Sequence, residues 1–585
     1  MSPCWALVAV FLANLLTTES ADPCMPINAA FRSVSSQNGA TSCKCMIDPL
    51  VGTNYDNVWI GCSGQSMSTV FRELRSLNET RVQRVHIWDS QLNIIPTEMF
   101  EKASESLLHE KLKLIIENSL VSVVRAGSFA TLGARLTELR LRNNAIKKTI
   151  DPEALKGLDH LQILDVSANK ISKLRADDLD SLTDLRELYL NDNAISEIED
   201  GAFSALSSLR VLSIQNNQLG AISRNMFKGL ENLEELYLEN NNLAQVDWTA
   251  FRQLKKLRVL DLGRNQLTSI DLQSFDKLEK LILNNNSLQN LKNVSIRDLR
   301  NLNYLSMDRN SLAQIDESDL RGLSGSPRLE TLSLASNNIS VVAAGAFKNL
   351  VSLKTLALQN NQITTLTTEG QSLLSPLRLL NVLILSGNRL EALKGNDLPP
   401  ALHTLAADHN RISHVDSNAF HGLKLQRLFL HDNRLTHLPK GTFDQIDLDV
   451  LQAIDLTENR WQCVCAEEWL GAWLEKAGEA DVGEGVLGCL AIPCDPKEAA
   501  EKPTHWATVV ASVLAVVSVV ILLGIVYLYV EDARMKPISK HSFRRHDSDM
   551  LRLINEESKT DEARGVAPKP RPADAAHNRS VRWAN

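Results

Sequence analysis

Apolar and polar residues follow one fixed frame along most of this chain. The stretch 185–195 reads LRELYLNDNAI, with Leu or Ile at its first, fourth, sixth and eleventh positions and Asn at its ninth. The frame returns 24 residues later at Leu209, and again at Leu233 and Leu257. Alternation over a few residues predicts a short half-buried strand. A period of this length predicts an array whose copies bury their apolar faces against one another.

The fixed positions are those of a leucine-rich repeat. Strands of neighbouring copies are expected to pair in parallel, about 4.8 Å apart, with the leucines pointing into the core. The Asn is expected to hydrogen-bond backbone groups of the tight turn that would otherwise be buried without partners. We therefore predict an α/β leucine-rich repeat solenoid, a curved parallel β-sheet horseshoe, over residues 76–460. A recurring Phe on the far side should fill the core, at Phe203, Phe227, Phe251, Phe275, Phe347, Phe420 and Phe443.

The array is predicted to contain about sixteen repeats. Two weak copies come first: residues 82–92 have Ser90 where Asn belongs, and a second copy around Ile115, Asn118 and Leu120 fits the frame only in part. Repeat lengths vary near 276–280, 320–328 and 370–380, through drift or through binding irregularities. The clear copies carry their Asn at positions 144, 169, 193, 217, 241, 265, 286, 310, 337, 361, 388, 410, 433 and 459.

Segments of another kind stand outside the repeats. Residues 1–20 hold a short apolar run followed by small residues, which is typical of a signal peptide. Residues 507–530 form a run of 24 uncharged residues. At about 1.5 Å per residue this run is long enough to cross about 30 Å of hydrocarbon, so we predict one transmembrane helix rather than a buried core helix. Basic residues cluster after the run, which predicts a single-pass type I protein of the plasma membrane with its N-terminus outside the cell. The tail, 531–585, is expected to be disordered.

Eight of the nine cysteines remain after the predicted signal peptide and fall into two groups of four. Even numbers in an exported chain predict disulfides, and each group of four permits three pairings. Zinc is the alternative, but the C-x-C spacing and the oxidising compartment argue against it. The groups define an N-terminal cap, 21–75, and a C-terminal cap, 461–496, in which Trp461, Trp469, Leu470 and Trp473 can cover the open end of the core. The cysteines are Cys24, Cys43, Cys45 and Cys62, then Cys463, Cys465, Cys489 and Cys494.

The C-terminal group carries a family resemblance. Residues 459–465 read NRWQCVC and are followed by Trp469 and Leu470, which resembles the C-terminal flank of extracellular leucine-rich repeat proteins, with Arg460 in place of the usual Pro. Toll receptor ectodomains and the Tartan and Capricious adhesion proteins share this layout. The resemblance implies that the flank cysteines pair first with third and second with fourth. The implied pairs are Cys24–Cys45, Cys43–Cys62, Cys463–Cys489 and Cys465–Cys494.

The outward positions of the sheet are the predicted ligand surface. In the first half of the array they are acidic and aromatic, and rigid aromatic side chains flanked by charge are common anchors in protein recognition. The alternative is that these residues are ordinary filler of an exposed face. We call the set the acidic–aromatic patch: Asp165, Glu187, Tyr189, Asp192, Glu235, Tyr237, Glu239 and Asp261.

Glycosylation sequons and the composition refine the predicted function. Four sequons on the extracellular side predict glycans at Asn78, Asn285, Asn293 and Asn338, whereas the sequon at Asn578 lies in the predicted cytoplasmic tail. A net charge of −8 disfavours nucleic acid as a partner. No arrangement of catalytic residues, metal ligands or cofactor-binding residues stands out, and the scattered histidines, among them His409 and His431, are interpreted as solvated surface residues.

The sequence therefore predicts a non-enzymatic cell-surface receptor or adhesion protein that binds an extracellular protein ligand or a second copy of itself. An innate-immune co-receptor or decoy without its own signalling domain is the alternative, because the tail of 55 residues is too short for the signalling domain of Toll receptors. The DMLRLI motif at 549–554 predicts sorting adaptors as further partners.

Overall fold

A sheet of nineteen strands runs through the part of the chain that the computed structural model describes. That part comprises residues 22, 24–34, 43–47, 58–64, 66–76, 82–97, 111–147, 152–461, 468–477 and 481–482. In chain order the strands are Cys43–Ile47, Val58–Ser63, Arg84–Trp88, Leu112–Glu117, Leu136–Arg140, Ile163–Asp165, Glu187–Tyr189, Val211–Ser213, Glu235–Tyr237, Val259–Asp261, Lys280–Ile282, Tyr304–Ser306, Thr331–Ser333, Thr355–Ala357, Val382–Ile384, Thr404–Ala406, Arg427–Phe429, Ala453–Asp455 and Asp481–Val482.

The register of this sheet stacks equivalent residues of successive repeats. The first two strands pair antiparallel, whereas the later neighbours are parallel. Leu188 faces Leu164 on one side and Leu212 on the other, so the leucines form a continuous buried column. Successive residues of a strand point to opposite faces, which places the residues between the leucines on the outer face of the sheet.

Short strands, helices and turns occupy the far side of the array, where an α/β solenoid would have longer helices. A repeat of about 24 residues leaves too few residues after the strand and turn for several helical turns, so the fold is better described as a β-solenoid. The far-side strand pairs are Ile94–Ile95 with Val123–Val124, Lys173–Leu174 with Glu197–Ile198, Ala221–Ile222 with Gln245–Val246, Ile270–Gln273 with Val294–Arg297, Gln314–Ile315 with Val341–Val342, and Ala392–Leu393 with His414–Val415. The 3₁₀ helices are Gly133–Arg135, Trp248–Gln253, Leu291–Asn293 and Arg321–Gly325, and a short α-helix is Pro152–Leu155.

The repeated Phe residues fill the core from this far side. Phe203, Phe227 and Phe251 are completely buried, and Phe275 is 5% exposed. The rings of Phe227 and Phe251 lie 5.3 Å apart between centroids, so equivalent residues of adjacent repeats pack directly on one another. Phe347, Phe420 and Phe443 are also buried in the same core.

The Asn at the ninth position of each clear copy joins two repeats through the backbone. The side-chain amide of Asn217 donates to the carbonyl oxygens of Leu190 and Ile214, at 3.0 and 3.1 Å. Its carbonyl oxygen accepts from the backbone N–H of Ile195 at 2.9 Å. The residue immediately before it, Asn216, has a φ of 55°, a left-handed conformation that Asn and Asp tolerate better than most residues. We call these ninth-position Asn residues the Asn ladder. Their side chains close the tight turn after each strand, as the sequence predicts.

Serine replaces Asn in the two weak copies. Ser90 and Ser119 are both buried, and the backbone N–H of Ser90 donates to the Ser119 hydroxyl at 3.3 Å. The backbone N–H of Ser119 in turn donates to the side-chain oxygen of Asn144 at 3.0 Å. The second weak copy is therefore shifted by one residue from our assignment: Ser119 takes the position given to Asn118, and Leu120 is exposed with a φ of 55°.

Two of the length variations have a defined structure. The longer segment near 320–328 contains the 3₁₀ helix Arg321–Gly325. The segment near 370–380 begins within a small antiparallel hairpin, Thr367–Thr368 with Gln371–Ser372. Added residues are therefore accommodated away from the sheet, whose register continues unchanged through Thr355–Ala357 and Val382–Ile384.

Both ends of the array are covered. At the start, the helix Cys24–Val34 buries Phe31 and Ile27, the helix Met67–Leu74 buries Leu74, and disulfides join Cys24 to Cys45 and Cys43 to Cys62. These are the pairs that the family resemblance implies.

At the end of the array, the helix Glu468–Lys476 places Trp469 and Trp473 against Phe443, with ring centroids 6.0 and 4.9 Å from that of Phe443. Leu470 is buried beside them, and Trp461 packs against the same core.

Several predictions fall outside the described residues. They are the signal peptide 1–20, the cysteines 463, 465, 489 and 494, the span 507–530 and the tail 531–585. Within the residues that the structure describes, no helix is both long enough and apolar enough to cross a membrane.

Candidate ligand-binding face

The acidic–aromatic patch lies on consecutive strands of the main sheet. Glu187 and Glu235 share one row of the outer face, with Val211 between them. Tyr189 and Tyr237 share the next row, with Ser213 between them. Two strand spacings therefore separate the tyrosines, about 10 Å.

Each tyrosine of the patch is held by a carboxylate of its own strand. The Tyr189 hydroxyl donates to Glu187 Oε2 at 2.9 Å, and the Tyr237 hydroxyl donates to Glu235 Oε2 at 2.7 Å. Burial and the adjacent carboxylate raise the pKa of Tyr189 to about 12, and the same two causes raise the pKa of Tyr237. Both hydroxyls therefore remain protonated near neutral pH, and both rings are half-buried in fixed positions.

The glutamates of these pairs remain available for a cationic group. Among the described residues, neither Glu187 nor Glu235 forms an ion pair with a Lys or Arg side chain. Each is half-buried and retains acceptor capacity beyond the tyrosine hydrogen bond. The two Tyr–Glu pairs thus form a repeated unit of an aromatic ring beside a negative charge.

Asp165 and Asp261 belong to the same rows but are not exposed. They are 5% and 8% exposed, because their carboxylates turn back to the chain. Asp165 Oδ1 accepts from the backbone N–H of Ser167 at 3.0 Å, and Asp261 Oδ1 accepts from that of Gly263 at 2.9 Å. Our assignment of these two residues to an exposed ligand surface is therefore not supported by their burial; their hydrogen bonds stabilise the turn.

Asp192 and Glu239 lie at the edge of the patch. Asp192 is exposed and accepts from the side-chain amide of Asn216 at 2.8 Å, and Asn216 accepts from Asn240 at 2.8 Å. Glu239 Oε1 lies 3.8 Å from Arg264 Nε, at the limit of an ion pair. The carboxylates at this edge therefore take part in an exposed polar chain across three repeats.

An ion-pair cluster bounds the patch on its N-terminal side. Glu138 lies between Lys113, at 3.1 Å, and Arg140, and Arg140 also approaches Asp165 at 3.5 Å. Burial alone would raise the pKa of Glu138, but the hydrogen bonds from Arg140 and Lys113 outweigh it and lower this pKa. The carboxylates of this cluster are therefore paired with cations, whereas Glu187 and Glu235, further along the face, form no ion pair with a Lys or Arg side chain of the described residues.

On the C-terminal side the character of the face changes. Lys280 Nζ lies 5.1 Å from the centre of the Tyr304 ring, within the range of a cation–π contact. Tyr304 is more deeply buried than Tyr189, and burial raises its pKa to about 12. Ile282 follows Asp261 in the row of the tyrosines, so the acidic–aromatic pattern ends at this strand.

The structure also brings together histidine side chains that are far apart in the sequence. His409, His431 and Asp408 come from adjacent repeats, and a ligand atom from each lies within 4.8 Å of the others. The sequence contains a signal for this cluster. Asp408 and His431 each stand two residues before the ninth-position Asn of their repeat, so the two residues occupy equivalent positions of adjacent repeats. This is the one metal-ligand cluster in the part of the chain described here.

The predicted glycosylation sites differ in exposure. Asn293 and Asn338 are exposed, whereas Asn285 is half-buried in its turn with a φ of 54°. Asn78 lies outside the described residues.

Comparisons with known proteins agree with this architecture. The family model described as the leucine-rich repeat matches residues 112–170, 134–195, 183–243, 231–282, 327–396 and 400–462, just over half of the chain. The P-granule-associated novel protein 1 of Caenorhabditis elegans is 42% identical over 253 residues, which are 40% of this chain and 42% of that protein. The chain thus spans about two fifths of the length of this relative.

Solved structures share the fold. A leucine-rich repeat protein of Leptospira interrogans superposes with a TM-score of 0.56 at 25% identity, over 72% of this chain and 99% of that one. Toll, in the Drosophila Toll–Spatzle complex, superposes with a TM-score of 0.55 at 15% identity, over 82% of this chain and 76% of that one. The matching repeats, the parallel sheet and the Asn ladder together establish that this chain belongs to the leucine-rich repeat family.

Proposed function

We propose that this chain is a non-enzymatic cell-surface receptor or adhesion protein that binds a basic protein ligand on the outer face of its sheet. The observation that carries the proposal is the pair of Tyr–Glu units, Tyr189 with Glu187 and Tyr237 with Glu235. In each unit the ring is held by its carboxylate, and that carboxylate forms no ion pair with a Lys or Arg side chain among the described residues. A Lys or Arg side chain of a ligand would lie beside the ring and against the carboxylate.

The rigidity of the sheet favours such recognition. Fixed side chains lose little conformational entropy on binding, so more of the contact energy contributes to affinity. Glu187, Tyr189, Glu235 and Tyr237 are the central contacts in this proposal, and Asp192 and Glu239 form the rim. Asp165 and Asp261 contribute through the turns that they stabilise.

The disulfides support the proposed extracellular location. Disulfides such as Cys24–Cys45 and Cys43–Cys62 persist mainly in oxidising compartments. The solved structure of Toll with Spatzle is that of a similar fold in complex with another protein, which is consistent with a protein ligand. In our proposal the apolar run 507–530 anchors the chain as a single-pass type I protein of the plasma membrane.

Charge reversal tests the binding face. The full chain, displayed on cells, is used to capture surface proteins at low and at high salt, and the dissociation constant of a captured ligand is then measured. Glu235→Lys together with Glu239→Lys should weaken binding by at least about tenfold, which corresponds to about 1.4 kcal/mol. High salt should weaken the wild-type complex as well, because the attraction is electrostatic and partly exposed.

The matched control reverses two charges outside the sheet face. Glu231 and Glu369 are both exposed, and Glu231→Lys with Glu369→Lys makes the same change in net charge. This control should bind as the wild type does. Equal loss in both double variants, or unchanged binding after reversal at Glu235 and Glu239, would contradict the proposed face.

Cell aggregation separates adhesion from the alternative function, an innate-immune co-receptor or decoy. Adhesion between copies of this chain should cluster cells that express it, whereas an innate-immune co-receptor or decoy should capture a ligand without clustering them.

The proposed membrane anchor is tested by alkaline extraction: the chain should stay with the membrane, and deletion of 507–530 should release it to the medium.

A further inference from the structure

Two histidines and an aspartate converge at the end of the array farthest from the acidic–aromatic patch. Asp408 Oδ2 lies 2.8 Å from His409 Nδ1 and 3.8 Å from His431 Nε2. The two imidazole rings lie 4.8 Å apart between centroids, at an angle of 82°. Three groups with metal-binding atoms thus face one small volume.

The spacing of these atoms fits a tetrahedral metal ion. With bonds of about 2.0–2.2 Å to nitrogen and oxygen, the ligands of Zn²⁺ lie roughly 3.3 Å from one another. The two measured separations, 2.8 and 3.8 Å, lie on either side of that value. Small rotations of the exposed His409 ring and the half-buried His431 ring would bring all three ligands to bonding distance.

The backbone beneath the cluster is fixed. The backbone N–H of His409 donates to the carbonyl oxygen of His431 at 3.0 Å, which locks the two repeats together at this point. Asp408 is held by the hydroxyl of Ser386, which donates to Oδ1 at 2.6 Å and leaves Oδ2 directed at the histidines. The ligand-bearing segments are therefore preorganised.

A second carboxylate orients His431. Nδ1 of His431 is buried without a well-aligned hydrogen bond, and it lies 3.3 Å from Asp455 Oδ2. Metal-binding histidines usually direct their other nitrogen to such a carboxylate, which fixes the tautomer and leaves Nε2 free for the metal. Asp432 Oδ2 lies 3.8 Å from His409 Nε2 and adds to the negative charge around the site.

We propose that Asp408, His409 and His431 bind a divalent transition-metal ion of the zinc class, with Asp455 as the outer carboxylate. Two imidazoles and one carboxylate suit Zn²⁺, whereas Ca²⁺ and Mg²⁺ require more oxygen ligands. The ion would join the repeats of Asn410 and Asn433 by a cross-link that the leucine core does not supply. This site is independent of the proposed ligand face and stands whether or not that face binds a protein.

Isothermal titration of the full chain with Zn²⁺ tests the proposal. The chain is purified in detergent without a histidine tag, after treatment with a chelator. One Zn²⁺ should bind per chain, and His409→Asn or His431→Gln should each weaken binding by more than the roughly 10–100-fold expected for loss of an outer carboxylate. Asp455→Asn should show that smaller loss.

The chain offers a matched control in a histidine with one carboxylate partner. His414 Nε2 lies 2.9 Å from Asp416 Oδ1, and both residues belong to the same part of the array. His414→Asn should leave Zn²⁺ binding unchanged. In the presence of chelator, all variants should have the same melting temperature as the wild type, which would show that the substitutions do not unfold the chain. Addition of Zn²⁺ should raise the melting temperature of the wild type but not that of His431→Gln.

Two results would overturn the metal site. The first is that the wild type binds Zn²⁺ no more tightly than the His409→Asn/His431→Gln double variant does. The other is a loss in His414→Asn equal to that in His431→Gln, since this would indicate general binding to exposed histidines. Full binding after Asp455→Asn would remove the outer role assigned to that carboxylate.

Discussion

Asp261 illustrates, at the scale of the residue, how one frame position acquires different chemistry in different repeats. It occupies the row of Tyr189 and Tyr237 but is buried. Burial raises its pKa from 3.8 to about 6; the hydrogen bond from the Gly263 backbone N–H opposes this shift, and the nearby Glu239 adds to it. The charged form of Asp261 is therefore disfavoured in the folded chain.

Replacing Asp261 by Asn should stabilise the chain at neutral pH. The pKa of Asp261 is higher in the folded chain than in the unfolded chain, so the bound proton stabilises the fold. This contribution is complete below about pH 4 and is lost as the pH rises through about 6. A shift of about two units corresponds to roughly 3 kcal/mol. Urea unfolding should give similar stabilities for wild type and variant at pH 4, and a more stable variant at pH 7.5.

Asp276→Asn is the control for this experiment. Asp276 is an exposed carboxylate in the following segment, and its replacement should not change the pH dependence. A difference between wild type and Asp261→Asn that stays constant from pH 4 to pH 7.5 would show that the buried carboxylate does not titrate as described.

At the scale of the element, the Asn ladder determines how one repeat is joined to the next. Asn217 makes its hydrogen bonds to four backbone groups of two repeats: the N–H of Ile195 and the carbonyls of Leu190, Ile214 and Gln215. All of these groups lie in the interior of the turn, where an unpaired backbone group is costly. Strand, turn and ladder therefore form one unit that is completed only by its neighbour.

Asn217→Ala should destabilise the array by at least about 2 kcal/mol, because several buried backbone groups lose their partner. Urea unfolding followed by circular dichroism measures this loss, and hydrogen exchange should show that protection falls first at the Ile195 amide. Gln218→Ala, one residue away and exposed, should change neither quantity. Equal stability of Asn217→Ala and Gln218→Ala would mean that the ladder is dispensable at this repeat.

At the scale of the whole molecule, the array presents one proposed binding face, two covered ends and exposed positions that carry sequons. Asn293 and Asn338 are exposed, so they can accept glycans without disturbing the core. Asn285 stands next to a ladder residue with its backbone N–H bonded to Asp308, which makes it a poorer acceptor.

If the chain is exported as proposed, Asn293→Gln and Asn338→Gln should each increase its mobility on a denaturing gel by one glycan. Removal of all N-glycans by an endoglycosidase should abolish the difference between these variants and the wild type. Asn578→Gln is the control and should not change mobility, because our proposal places residues 531–585 in the cytoplasm. A wild-type chain unaffected by the enzyme would contradict export.

The repeat frame was sufficient to predict the parallel sheet, the buried leucines, the Phe column and the ladder. Each of these depends on contacts between equivalent positions of adjacent copies, and a periodic sequence specifies such contacts directly. We expected an α/β solenoid, and the structure has less helix than that class implies. The short repeat explains the difference, because it leaves too few residues for longer helices on the far side.

Burial and side-chain neighbours were decided only by the tertiary structure. The frame places Asp261 outward, yet its carboxylate turns back to the Gly263 N–H, because a short side chain on a closely packed sheet reaches its own backbone more readily than solvent. Ser119 takes the ladder position because its buried neighbours fix the register of a weak repeat.

The histidine cluster likewise could not be predicted from the repeat frame. His409 and His431 are 22 residues apart in the sequence, and whether their rings meet depends on the stacking of two repeats and on side-chain orientation. The sequence by itself therefore determined the array and the rows of its outer face. The tertiary structure decided which members of those rows are buried, which of their carboxylates form ion pairs, and which side chains converge, since these depend on distances that periodicity does not encode.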